Sequence, residues 1–204
     1  MSEWSGVLDC FVTPIYNKVL NLNHQQINDY LLKIEKTLKS VEHGDNLYGF
    51  QSNELWDSHK EQLKKFNFYT EIQTALQEYS DKAGLMPLEI KRIWFSVMRY
   101  KDMVSLHSHN DSVVSGTYYP STPKYSGNIQ FAHPAKDVME VLWRERALRD
   151  YNEYTGRLVT PRVTTGRCIL YPGYLKHWVE PHLNEEEPRV AISFTAQTVK
   201  EKIV

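Results

Sequence analysis

Cysteine is nearly absent from this chain, with two residues in 204, Cys10 and Cys168, far apart and outside any CxxC pair. That excludes a disulfide scaffold and a thiolate zinc or redox centre, so any metal must be held by histidine and carboxylate. An excess of one charge is missing too: 24 Lys and Arg against 25 Asp and Glu give a formal net charge of -1, which offers nucleic acid no electrostatic footing. No run approaches the roughly 20 apolar residues of a membrane span. The opening "MSEWSGVLDC" has neither a basic n-region nor an apolar h-region, so the reading is a cytoplasmic protein with no membrane partner. Repeats, low-complexity tracts and Gly/Ser linkers are lacking as well, so the 204 residues are read as a single domain. Nothing in the chain speaks to its oligomeric state.

What is present falls into two parts. Over residues 1–87 the pattern is mainly helical. Ile27, Tyr30, Leu31, Ile34, Leu38 and Val41 recur at helical spacing, Asn23 and Gln26 resemble a capping box, and Gly44 a stop, which predicts a helix over 24–42. A shorter candidate runs from Glu54 to Lys65. Phe68, Ile72, Ala75, Leu76, Tyr79 and Ala83 predict another helix, ending at Gly84 before Pro87. From residue 88 to about 198 short β-like runs take over: "EIKRIWFSVMRY", "VVSGTYYP", "GNIQFAH", "RCILYP", "LKHWVEPH" and "RVAISFTA". An insertion around 136–156, which includes Trp143, Arg144 and Arg146, interrupts them as a short helix or charged loop and is expected to overhang a functional mouth as a lid. The sum is a mainly β fold of the jelly-roll or cupin type with N-terminal helices packed against it.

Metal-capable side chains concentrate in "LHSHNDS", where His107, His109 and Asp111 alternate. In extended backbone, residues two apart face one side, so all three can address one site. Far downstream, His177 sits in a predicted strand and Arg189 opens another. Arg189, Ala191, Ser193 and Thr195 share one face of that strand, and Val190, Ile192 and Phe194 share the other. Small residues with one permanent cation make a pocket suited to a carboxylate, which a guanidinium grips bidentately. An ion pair of Arg189 with the neighbouring Glu185–Glu187 is the plainer alternative. Together, the histidines and the carboxylate anchor match what an iron(II) oxygenase needs: ligands on one face of the metal, open positions, and a hold for a chelating co-substrate.

From about Trp94 to Phe194 the chain resembles the 2-oxoglutarate and Fe(II)-dependent oxygenase family, whose members share an "HxH…SGVYY…G…F…P" block and a later "FPxxLxH…V…R" block. Here these are "HSHNDSVVSGTYYPSTPKYSGNIQFAHP" and "LYPGYLKHWVEPHLNEEEPRVAISF". The resemblance implies a double-stranded β-helix with iron at its mouth and 2-oxoglutarate chelating that iron. It also implies His177 as the distal ligand, Arg189 as partner of the C5 carboxylate, and Tyr119 on that same carboxylate; Ser193 joins them on the pocket wall. Two metal sets stay open. His109, Asp111 and His177 are preferred because a carboxylate lowers the charge of the site and suits Fe(II), whereas alignment with the family block favours His107, His109 and His177. His133 reads as a turn residue, His182 as lining the entrance, and Trp94, Trp178, Tyr118 and Tyr171 as core or wall. The expected activity is a hydroxylation by O2 of an amino acid, peptide or small metabolite, with release of succinate and CO2 and ascorbate as the reductant in vitro. A non-catalytic cupin-like binding module, and a three-histidine oxygenase that does not use 2-oxoglutarate, are the rival readings.

Overall fold

Four long strands, alternating in what they bury, decide the architecture. The computed structural model describes residues 9–41, 48–53, 55–143 and 147–199. Gly44, Glu54, Arg144, Arg146 and the last residue of the 24–42 expectation lie outside them. In chain order the elements are β1 (Tyr16–Val19), α1 (His24–Glu35), β2 (Phe50–Gln51), α2 (Trp56–Lys65), α3 (Phe68–Ala83), β3 (Leu88–Met98), β4 (Val104–His107), β5 (Val114–Ser121), β6 (Ile129–Ala132), α4 (Lys136–Leu142), β7 (Leu158–Val159), β8 (Arg167–Pro172), β9 (His177–Val179) and β10 (Arg189–Thr198). They form a six-stranded sheet, β1-β8-β5-β10-β3-β2, and a four-stranded sheet, β4-β9-β6-β7. Every pairing is antiparallel.

The large sheet is buried on both faces. Ile93, Phe95, Val97, Tyr118, Leu170, Val190, Ile192 and Phe194 point outward into one core with Ile27 and Leu31 of α1 and Phe68, Ile72 and Leu76 of α3. The opposite parity, Tyr119, Ile169, Tyr171 and Ala191, meets Ile129 and Phe131 of β6 in a second core between the sheets. The expected jelly-roll core with packed N-terminal helices is what forms, because the helical stripes supply the apolar surface that the outer face of the sheet requires.

Local signals account for the element ends. Asn23 caps α1 by accepting from the Gln26 backbone N–H at 3.1 Å. Gly84 ends α3 in the left-handed conformation at φ 68°. The first helix stops at Glu35, short of the expected 42, where Thr37 turns its hydroxyl back onto the Ile34 carbonyl at 2.8 Å. The insertion contributes one short helix, α4. Strands β1, β2 and β7 were not anticipated, being short and without an unbroken run of β-branched and aromatic residues around them, and β4 was anticipated only at its end, where "LHSHNDS" was read as extended. Cys10 and Cys168 are both free thiols.

Candidate metal centre and co-substrate pocket

Strand pairing creates the centre. β4 and β9 are antiparallel neighbours whose register sets His107 directly opposite His177. His109 lies two residues past the end of β4, in a turn clamped at both of its backbone groups. Its N–H donates to the Gly173 carbonyl at 2.8 Å, and its carbonyl accepts from the Ser112 N–H at 3.0 Å and hydroxyl at 2.8 Å. The three side chains converge until their candidate ligand atoms all lie within 4.8 Å of one another. Ring centroids stand 4.2 Å apart for His107 and His177, 5.0 Å for His107 and His109, and 5.2 Å for His109 and His177.

Two of the rings are oriented by carbonyls. The Nδ1 of His107 lies 2.8 Å from the Ser105 carbonyl and that of His177 2.9 Å from the Leu175 carbonyl. A carbonyl only accepts, so each Nδ1 donates its hydrogen and each Nε2 keeps a lone pair for a metal. Burial, together with repulsion from His107, lowers the pKa of His177 to about 3 and that of His109 to about 4. Neutral imidazoles at ordinary pH are what a divalent metal requires. Asp111 stands elsewhere. It is exposed in the turn beyond His109, outside the cluster, with its main-chain carbonyl taken by the Gln197 side chain.

The histidines open onto a cavity of about 290 Å³ between the sheets. Its large-sheet wall includes Ser96, Thr117, Tyr119, Tyr171, Arg189, Ala191 and Ser193. Arg189 is 2% exposed and carries no ion pair to Glu185–Glu187 among the described residues. Its guanidinium lies over the Tyr119 ring, 4.9 Å from the centroid, Nη1 meets the Met98 sulfur at 3.0 Å, and Nε is buried with no partner. Desolvation lowers its pKa. The Tyr119 hydroxyl is buried with no hydrogen bond of ordinary geometry but within interacting reach of Arg189 and Thr117, and Thr117 and Ser193 place hydroxyls 3.4 Å apart beside it. Buried polar groups are rarely orphaned, and the Arg189 Nε and the Tyr119 hydroxyl in one cavity fit an anionic group.

Thr117 and Arg92 are among the cavity residues that escaped the reading of the sequence. Thr117 shares strand parity with Tyr119, which was the available signal. Tyr171, read as core or wall, stands in the cavity wall with its hydroxyl 3.2 Å from the His177 Nε2. Trp94, 5.6 Å from the His109 ring, and Arg92 line the opposite end of the cavity. His133 is a turn residue as expected, its Nδ1 accepting from the Ala135 N–H at 3.0 Å. His182 differs from expectation: it is fully buried, pinned at 2.8 Å to the Glu187 carbonyl, and does not line the cavity. No described residue of 136–156 lines the cavity either. Lys136 and Asp137 instead border a second hollow of about 530 Å³ with Leu106 and Trp178.

Two facing antiparallel sheets with a histidine cluster and a buried arginine between them define a double-stranded β-helix protein with a candidate metal centre of the oxygenase type. Residues 92–195, just over half of the chain, match the 2OG-Fe(II) oxygenase family model, and the chain belongs to that family. The family's cofactors, Fe(II) and 2-oxoglutarate, suit the donors found: three converging imidazoles and a buried guanidinium. No curated protein sequence matches the chain. Among solved structures it is similar to the alpha-ketoglutarate-dependent epimerase SnoN from nogalamycin biosynthesis, with TM-score 0.65, 12% identity and coverage of 90% of this chain and 77% of that one. HygX from Streptomyces hygroscopicus, solved with nickel and 2-oxoglutarate, gives TM-score 0.58 and 14% identity, covering 92% and 84%. A Pseudomonas putida prolyl-4-hydroxylase gives TM-score 0.54 and 11% identity, covering 91% and 93%. At such identities the likeness speaks for the fold. Among the described residues, no helix is long and apolar enough to cross a membrane.

Proposed function

We propose that the protein is an Fe(II)- and 2-oxoglutarate-dependent dioxygenase that hydroxylates a C–H bond of an amino acid, peptide or small metabolite. The observation that carries this reading is the buried, unpaired Arg189 in the same cavity as His107, His109 and His177. Their convergence within 4.8 Å supports the three histidines as the metal ligands, with exposed Asp111 the alternative to His107. When bound, the cofactor pair supplies oxidation by O2 of a substrate C–H bond coupled to conversion of 2-oxoglutarate to succinate and CO2. The chain's own residues do the rest. Arg189 pairs with the C5 carboxylate, Tyr119 donates its hydroxyl to it, and Ser193 and Thr117 flank it. Ile129, Phe131 and Tyr171 keep water from the inner wall, which strengthens each polar contact inside.

Succinate formation from 2-oxoglutarate with Fe(II) and ascorbate tests the reading. Activity is expected in the native protein and absent in His177→Ala; full activity in that variant refutes the assigned centre. Mn(II) affinity should collapse in His107→Ala and survive in Asp111→Asn, and the reverse result selects the Asp111 set. An Arg189 variant with undiminished turnover would favour a three-histidine oxygenase that does not use 2-oxoglutarate.

A further inference from the structure

Tyr171 carries a hydroxyl where the family block "FPxxLxH" has phenylalanine; here the run is "YPGYLKH". That added oxygen lies 3.2 Å from the His177 Nε2. His177 already gives its Nδ1 hydrogen to the Leu175 carbonyl at 2.9 Å, so Nε2 is the acceptor and the phenol, protonated at ordinary pH, is the donor. The hydroxyl therefore sits on the lone pair that a metal requires. Its ring is buried and held between Phe131, at 4.8 Å between centroids, and His177, at 4.7 Å. Along the sheet, Tyr171 pairs with Ser115 of β5, about 13 Å down that strand from Tyr119, over whose ring the Arg189 guanidinium lies. Tyr171 thus belongs to the histidine end of the cavity and Arg189 to the other.

A metal on Nε2 takes that lone pair and leaves the phenol hydrogen to find another acceptor, in a place closed to water. Buried donors are rarely left unpaired. The Ser115 and Thr117 hydroxyls are close enough to interact with the phenol, but they are neutral, and a negatively charged oxygen makes the stronger bond. Adjacent donor atoms on an octahedral ion, each about 2.1 Å from it, stand about 3 Å apart, so a hydroxyl that reaches Nε2 also reaches the ligand oxygen beside it. We propose that Tyr171 is a second co-substrate-binding residue, whose hydroxyl, released by His177 when the metal binds, donates to the keto-acid end of 2-oxoglutarate at the metal. The assignment rests on the dioxygenase reading and gives the co-substrate a hold at each end, Arg189 on C5 and Tyr171 beside the histidines.

Tyr171→Phe removes the oxygen alone and keeps the ring. Calorimetry on the Zn(II)-loaded variant should show 2-oxoglutarate binding weakened about tenfold or more, the loss expected for a hydrogen bond to a charged group, while Zn(II) affinity measured without 2-oxoglutarate stays close to native. Pyruvate, which has the keto-acid end but no second carboxylate, should lose a similar factor in Tyr171→Phe and none in Arg189→Met, which separates the two holds. In the anaerobic Fe(II) protein, the visible charge-transfer absorption of the 2-oxoglutarate complex should move to higher energy in Tyr171→Phe, because a donor on the chelate lowers its acceptor orbital. Unchanged 2-oxoglutarate affinity and an unchanged absorption band overturn the proposal and assign the phenol to Ser115 and Thr117. Zn(II) and 2-oxoglutarate affinities that fall together overturn it as well, since the hydroxyl then only steadies His177. A native protein that binds no 2-oxoglutarate and shows no band would instead remove the dioxygenase reading itself.

Discussion

Burial of the Arg189 guanidinium costs the ligand-free molecule stability. Arg189 has a sulfur, an aromatic face and an orphaned Nε for company, and burial lowers its pKa. Replacing it by an apolar side chain of similar reach removes the desolvation penalty of a buried charge, and even whole buried ion pairs are often replaced by apolar residues without loss of stability. Arg189→Met is therefore expected to match or exceed the native Tm in thermal denaturation of the ligand-free protein. The same variant should lose 2-oxoglutarate affinity by about a hundredfold or more, the scale of truncating one member of a buried charge pair. A lowered Tm with unchanged affinity would make Arg189 structural. The histidines give the matching pH prediction. His177 and His109 are held near 3 and 4 when folded, against about 6.5 in the unfolded chain, so between those values the unfolded state binds more protons. Their contribution is fully present above pH 6.5 and is lost as pH falls toward 4. The urea midpoint of the metal-free protein should drop from pH 7.5 to pH 5, and less steeply in His177→Gln; equal slopes would contradict the assignment. At this scale the sequence was partly readable. The face shared by Arg189 and Ser193 followed from strand parity, but Asp111 did not follow from its spacing. β4 ends at His107, so the alternation that would carry Asp111 to the same side ceases before it is reached.

A turn, alongside the β4–β9 strand pair, places the third histidine of the cluster. His109 is not on a strand, and its position depends on the contact between the turn at 108–113 and the one that joins β8 to β9. Gly173 is the point of contact: a Cβ there would come within 2.2 Å of the Ser112 carbonyl oxygen and 2.7 Å of that of His109. These are backbone atoms, so relief requires moving the turn itself. Gly173→Ala should weaken Mn(II) binding by about 10–100-fold, the usual cost of disturbing the groups that support a ligand, with an unchanged far-ultraviolet circular dichroism spectrum. Native affinity in that variant would show the turn to be free to adjust. Legibility follows element length. The strand "RCILYP" and the helix from Phe68 to Ala83 were visible in full, because six to sixteen residues display a period. β2 and β7, with two residues each, are defined only by the partners they hydrogen-bond to. The pairing of His107 with His177 is likewise a property of register, which residues seventy positions apart cannot announce.

The molecule as a whole is tied together by the large sheet. Residues 1–87 supply the helices over its outer face and both of its edge strands: β1 pairs with β8 at one side and β2 with β3 at the other. β10 belongs to both cores, with Val190, Ile192 and Phe194 against the helices and Arg189, Ala191 and Ser193 in the cavity. The helical part and the oxygenase core should therefore unfold as one unit, and residues 88–198 alone should expose an apolar sheet face well beyond the few hundred Å² a soluble monomer tolerates. Leu76 offers a direct trial. It is fully buried in α3, far along the chain from any site residue, and its truncation to Ala should cost about 2–5 kcal/mol. In urea, the loss of helix signal and the loss of Mn(II)-dependent 2-oxoglutarate binding should shift together by the same amount in Leu76→Ala. A helical layer that melts first while the cavity still binds 2-oxoglutarate would divide the chain into two units, and the single-domain assignment would fall.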